Sequence, residues 1–483
     1  MKYICRLLLL AQLLLAISCG GADEEAVVTI KSLTIKPRSV TLIVGGTIQF
    51  SATSDPLCEE LELSWRSDNE SVVTVDSNGV ATAVGVGKAA VICSYGDSVT
   101  ARASVSVIEH KVEARTLESL LSEQLIFSSR QLTYPGTVMQ CFDFYDSSEN
   151  GYIYFSQCGG DSATGSKWIV VLSRVKRGSY GDKTVSSERM LMRWFGHGTN
   201  LCVERATDGG EDFVWLNSNG TVSSTSTSAV YDYSNNKTFC RVRYQPNTTF
   251  EHYTGENFYM SSYTDTSGKK WSVSNLQVSL DFEYRRMLVT CTSSGTRHCV
   301  IYDLDAVLAL NEQTVTLERI WGGEAGTNTE RKKGTTTLSA RVLDNLTPLG
   351  SFRVASNLNS GDYDKTYSCS FQGQAIYGNR VFWYEGQPLE SVVGSGVYDN
   401  AQAYVEVFDY KGNRLAPRQR VAAVSDFDNM KKLLNLNENL FSEAEGMQIK
   451  DGGKKLYLGI TTHLAGATTK NRLSTILEYD YSE

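Results

Sequence analysis

From Tyr134 to Glu483 the chain repeats one plan of short strands. The first unit opens on Val138-Met139-Gln140-Cys141-Phe142-Asp143, passes a Gly-containing turn to Gly151-Tyr152-Ile153-Tyr154-Phe155-Ser156, and adds Lys167-Trp168-Ile169-Val170-Val171-Leu172-Ser173-Arg174. The plan recurs as GTNLCVERATDGGEDFVWLNSNG, as NLQVSLDFEYRRMLVTCTSSGTRHCVIYDLDAV, as SCSFQGQAIYGNRVFWYEG with AYVEVFDYKGN, and as AEGMQIKDGGKKLYLGITT with STILEYD. Five units of roughly 60 to 80 residues fill the span, too much chain for one sandwich. A small sheet cannot bury both its faces alone, and a closed ring of such sheets removes the exposed edges that promote aggregation. The repeat therefore predicts an all-β fold ending in a β-propeller over residues 134–483, with five blades.

Composition agrees with many strands joined by turns: 40 glycines, 25 tyrosines and 17 phenylalanines against only 7 prolines. Net charge is −8, and the longest basic cluster is Arg331-Lys332-Lys333. Phosphate backbones require concentrated positive charge, so nucleic acid is excluded as a partner. Cysteines carry no CxxC or Cys/His zinc spacing. Cys291 and Cys299 flank a Gly295-containing turn and are positioned for a cross-hairpin disulfide, as are Cys141 and Cys158; the separation of their Cα atoms decides both.

Residues 29–108 alternate apolar and polar positions in short runs, from Leu33-Thr34-Ile35 to Ala101-Arg102-Ala103-Ser104-Val105-Ser106-Val107, the pattern of a β-sandwich. The order of parts, LTIKPRSVTLIVGGTIQFSA, then LSWRSDNESVVTVDSNGVATAVGVGKAAVIC, then a final strand, resembles the group 2 bacterial Ig-like domain. That resemblance implies a core tryptophan at Trp65, a tight turn at Gly45-Gly46, and a spacer or adhesive role without chemistry.

Residues 1–18 read as an export signal, with Lys2 and Arg6 ahead of an apolar run from Leu7 to Ile17. The run is shorter than the about 20 residues needed to span a bilayer. Ala16-Ile17-Ser18-Cys19 resembles the lipobox of bacterial lipoproteins, which implies cleavage before Cys19 and a lipid on its thiol. Residues 19–28 are then a solvated tether, the location is the outer membrane or cell surface, and membrane contact is through the lipid alone. In the linker, residues 109–133, Leu117, Leu120, Leu121 and Leu125 have helical spacing and predict a short helix.

Catalytic signatures are missing: there is no GxSxG, P-loop, HExxH or dinucleotide-binding glycine motif. No cofactor, metal or catalytic residue is assigned. Innermost propeller strands line a central channel, so the polar residues opening each unit are the candidate ligand-binding set: Gln140, Asp143, His197, Asn200, Gln277, Gln372, Glu445 and Gln448. Amides can bond sugar hydroxyls while Tyr154, Trp194, Trp215, Trp383 and Tyr384 offer rings for apolar sugar faces. For any one of them, channel-water bonding or blade core is the simpler role. EGMQI…KLYLGIT and FGHGTNLCVER resemble the five-bladed propellers related to helveticin J and to teichoic-acid-associated proteins, which implies binding of cell-surface glycans. A polysaccharide hydrolase or lyase using the channel mouth is the main alternative, and a helveticin-like antibacterial protein the third; a retained lipid anchor disfavours a diffusible toxin.

Overall fold

The computed structural model describes residues 29–58, 61–108, 125–129, 132, 137–145, 151–161, 166–176, 188–193, 195–222, 231–232, 236–251, 253–321, 332–354, 370–390, 398–421, 424, 427–436, 441–464 and 472–481. The chain divides into two units, Met1–Lys111 and Val112–Glu483.

In the N-terminal unit the alternation produces two sheets. One has the order Ser39–Ile43, Val99–Ile108, Gly87–Tyr95, Ser64–Ser67; the other has Thr47–Gln49, Val80–Ala83, Val73–Val75, beside the pair Ser32–Lys36 and Ser51–Asp55. Their apolar positions, among them Leu42, Phe50, Val73, Val91 and Val105, are buried, as a sandwich requires. Gly45 takes φ 86° and donates to the Ala83 carbonyl at 2.7 Å, making the expected turn. Trp65 departs from expectation: it is half-buried. Its strand Ser64–Ser67 ends the sheet, and a Cβ built on Gly79 would stand only 2.9 Å from the indole, so the ring covers the Gly79 turn while Phe50 fills the centre.

In the C-terminal unit, five sheets of four or more strands occur among the described residues. Each begins with one strand of the repeat: Met139–Asp143, Cys202–Glu204, Ser274–Asp281, Ser370–Tyr377 and Phe441–Lys450. These first strands lie at one edge of their sheets. Each adjoins the next, and the last adjoins the first, so they ring one axis.

Alternation along the strands explains the ring, because each sheet sends its two faces into two different cores. Tyr154 and Val170 of the first sheet meet Val203 and Val214 of the second. Trp215 and Phe258 meet Val278 and Val289, Ile301 and Phe352 meet Val381 and Trp383, and Phe382 and Val405 meet Leu456 and Leu477. Ile153 and Phe155 then close the circle against Tyr457 and Ile476. This is the predicted propeller.

Outer strands lace the ring. Thr249–Glu251, which follows the third strand of the second sheet, pairs in parallel with Arg189–Arg193 of the first. A hairpin of Glu312–Trp321 and Lys332–Val342, which follows the third strand of the third sheet, extends the second through a parallel pairing with Glu256–Tyr259. The last sheet takes its outer strand from far upstream: Leu125–Ser129 pairs antiparallel with Arg472–Asp480.

That strand corrects the helical expectation for the linker at Leu125 alone. Leu117, Leu120 and Leu121 lie outside the described residues, but Leu125 opens a strand whose Ile126 and Phe127 are buried in the core between the last and first sheets. The propeller's chain thus begins before residue 134. Neither expected disulfide forms: Cys141, Cys158, Cys291 and Cys299 are free and buried. Cys299 stands opposite Thr290 and Cys291 opposite His298, which puts the two sulfurs on opposite faces of the hairpin. Burial pushes the Cys141 and Cys158 thiols up to about 12.

Candidate functional site

All eight ligand-binding candidates lie on, or just before, the five innermost strands, but they divide by what they bond. Asp143 is buried and joins three sheets. It accepts from the Val203 amide at 2.7 Å, from the Phe144 amide at 2.8 Å, and from Lys450 Nζ at 2.6 Å. Burial raises its carboxyl, and the Lys450 ammonium opposes that rise. Asn200 Oδ1 accepts from the Val278 amide of the third sheet. Gln448 Nε2 donates to the Phe142 carbonyl at 2.8 Å, and Gln277 Nε2 donates to Thr199 Oγ1 at 3.0 Å. These four stitch neighbouring sheets at the axis, although Asn200 Nδ2 and Gln277 Oε1 have no partner among the described residues.

The other four lie nearer the start of the inner strands. Gln140 and Gln372 are the extra residues of β-bulges, and Glu445 with Gly446 forms a third; a bulge re-aims its side chain out of the regular alternation. Gly446 reaches φ 76°, and a Cβ there would stand 3.1 Å from the Cys141 Cα, so glycine permits a close approach of the last and first inner strands. Gln372 Nε2 donates to the Gly386 carbonyl at 3.3 Å. Glu445 is buried, and desolvation followed by the nearby Glu443 charge raises its carboxyl well above the usual range against the pull of Arg472. His197 sits between Gly196 at φ 88° and Gly198 at φ 87°, and burial lowers its imidazole, favouring the neutral form.

The aromatic part of the expectation is corrected. Tyr154, Trp215, Trp383 and Tyr384 are all buried, and they form the cores between sheets, where no sugar can stack. Trp194 lies outside the described residues.

The opposite mouth, where the inner strands end, was not singled out by sequence. A cleft of 310 Å³ opens there, lined by Tyr145, Val203, Asp281, Glu283, Tyr377 and Lys450 among others, with residues drawn from or just beyond all five inner strands. Tyr377 donates to Glu283 Oε2 at 2.9 Å, and Asp281 accepts from the Gly378 amide at 2.6 Å. A second cleft of 480 Å³ lies beside it between the first and second sheets, lined by Tyr145, Tyr152, Arg174, Arg205, Glu211 and Asp212 among others. Arg174 lies 4.3 Å over the Tyr152 ring, is held by Glu211, and stands beside Tyr154, whose hydroxyl donates to Asp212 at 2.9 Å. Tyr145 borders both clefts, is 44% exposed, and has the Arg205 guanidinium 5.4 Å from its ring. The sequence signal for this mouth was the recurrent acidic residue closing the inner strands, at Asp143, Asp281 and Asp451. Among the described residues no group of His, Cys, Asp and Glu is placed to hold a metal ion.

Fold and clefts together define a two-domain all-β protein, an Ig-like sandwich followed by a propeller with polar clefts around its axis. Residues 29–107 match the family of bacterial Ig-like domains, group 2. No curated protein sequence matches the chain. Among solved structures the chain is similar to the tail fibre of Staphylococcus aureus phage P68, with 13% identity, TM-score 0.42, and coverage of 75% of this chain and 54% of that one. It is also similar to a family 43 arabinoxylan arabinofuranohydrolase from Bacillus subtilis, with 8% identity, TM-score 0.27, and coverage of 71% and 63%. A third is the α-L-arabinanase of Cellvibrio cellulosa, with 9% identity, TM-score 0.29, and coverage of 71% and 91%. The chain thus spans about half of the tail fibre.

Proposed function

We propose that this is a lipid-anchored surface protein, held at the outer membrane or cell surface through Cys19, that binds a glycan or another surface polymer with its propeller and uses the Ig-like domain as a spacer. The observation that carries the reading is the axial cleft. Tyrosine rings, carboxylates and one ammonium converge there from five strands, and rings beside fixed polar groups are what recognition of a polyol requires. The test is a glycan array probed with the full chain and with Tyr377→Ala: the wild-type chain binds a defined subset, and the variant loses most of that signal. Absence of binding to every glycan, with turnover of one, reverses the reading. For the anchor, labelled palmitate is incorporated by the wild-type chain and not by Cys19→Ser.

One observation favours a hydrolase as the second reading. Glu445 is a buried carboxyl raised by desolvation and by the nearby Glu443, which itself contacts His463 Nε2 at 2.9 Å; two neighbouring carboxyls, one of them raised by burial, are the kind of pair that acid-assisted glycoside cleavage uses. Release of reducing ends by the wild-type chain and its loss in Glu445→Gln establishes that reading.

A further inference from the structure

The two clefts share one wall. Tyr145 follows the first inner strand and lines both the axial cleft and the cleft between the first and second sheets. Its ring is the large exposed aromatic of this mouth: the neighbouring Tyr154 and Tyr244 are buried, and Tyr152 is half-covered by Arg174. A ligand confined to one cleft leaves that ring half used, whereas a chain crossing Tyr145 fills both volumes and stacks one unit on the ring. Each cleft falls within the about 300–1,000 Å³ of ordinary ligand sites.

Charge sets the class of chain. Across both linings the cations are Arg174, Arg205 and Lys450, and the carboxylates are Glu211, Asp212, Asp281, Glu283 and Asp451, three against five. Two of those cations are already paired, Arg174 with Glu211 and Lys450 with Asp143. Arg205 instead lies over the Tyr145 ring. A polyanion would therefore meet an excess of negative charge in a partly desolvated cleft, while the hydroxyls of an uncharged sugar can donate to the same carboxylates.

Resting on the glycan reading above, we infer that the propeller takes an internal stretch of an uncharged polysaccharide chain, which crosses from the axis into the cleft between the first two sheets over Tyr145. The site is an extended groove for several units, and acidic polymers are poor ligands.

Titration calorimetry on the full chain tests this with linear gluco-, manno-, xylo- and arabino-configured oligosaccharides of two and six units, and with oligogalacturonate and hyaluronan fragments of matched length. The expected result is that one neutral hexamer binds at least tenfold tighter than its dimer and that both acidic series bind more weakly still. Ala206→Trp fills only the outer cleft and brings the hexamer to the dimer's affinity while leaving the dimer unchanged. Tyr145→Ala weakens the hexamer by about tenfold. Equal affinity of hexamer and dimer in the wild-type chain overturns the extended groove, and tighter binding of either acidic series overturns the charge argument; both results leave the glycan reading standing. Failure of all six series to bind overturns that reading and this inference together.

Discussion

Lys450 Nζ stands 2.6 Å from Asp143 Oδ1, joining the end of the last inner strand to the end of the first. The same carboxylate accepts from the Val203 amide of the second sheet, so one buried residue holds three consecutive sheets around the axis. Asp143→Ala leaves the ammonium and the Val203 and Phe144 amides without their acceptor, and it is expected to cost about 3–5 kcal/mol in urea unfolding. Lys450→Met keeps both amide donors on the carboxylate and costs less. Equal losses in the two variants would falsify this ordering.

Phe127 seals the ring from the upstream strand, 1% exposed and 4.7 Å from the Phe155 ring. Truncation to alanine opens a cavity between the last and first sheets, with an expected cost of about 3–5 kcal/mol. Limited proteolysis should then cut first near residues 125–129. Cleavage beginning instead in the third sheet would show that this seam is not where the ring yields.

His298 sets a pH response. It is buried in the third sheet, its Nδ1 lies 2.7 Å from the Tyr263 hydroxyl, and burial lowers its imidazole to about 4 from an ordinary 6.5. The unfolded chain then binds a proton that the folded chain refuses between those values, so stability is full above pH 6.5 and falls as the pH drops toward 4. The urea midpoint followed from pH 7.5 to pH 4.5 should decline over that window, and His298→Gln should flatten this part of the decline. An unchanged slope in the variant assigns the effect elsewhere.

Glu445 has the opposite sign. Its carboxyl is raised, so the folded chain holds a proton that the unfolded chain releases above about 4.5, and stability is lost as the pH rises. Glu445→Gln keeps the neutral shape without the proton, and its stability should exceed that of the wild-type chain at pH 8 by more than at pH 5. A variant that is less stable at pH 8 contradicts a protonated Glu445.

Much of the fold was legible because a propeller repeats its signal. The runs beginning at Met139, Leu276 and Met447 each carry an apolar residue followed by glutamine and an acidic residue a few positions later, and all three lie on inner strands. Alternation likewise gave the N-terminal sandwich. The helical spacing misled at Leu125, because Leu125–Ser129 is held as a strand by pairing with residues near position 475, a long-range partner that no local period reports. The site was legible in its strands and obscured in its mouth. Glutamines and histidine stood out as polar residues in apolar runs, while Tyr145, Arg205 and Glu283 look in sequence like ordinary turn residues, and only the convergence of distant turns gives them a shared cleft.

The outer strand of the last sheet comes from residues 125–129 and its other three from residues 441–480. During synthesis the first of these leaves the ribosome more than 300 residues before its partners, so the circle stays open until translation of the domain is almost complete. Such long-range closure is intrinsically slow. Residues 125–129 therefore wait without their partner strand until residues 472–480 are made, and sealing the ring is the last step in assembling the domain.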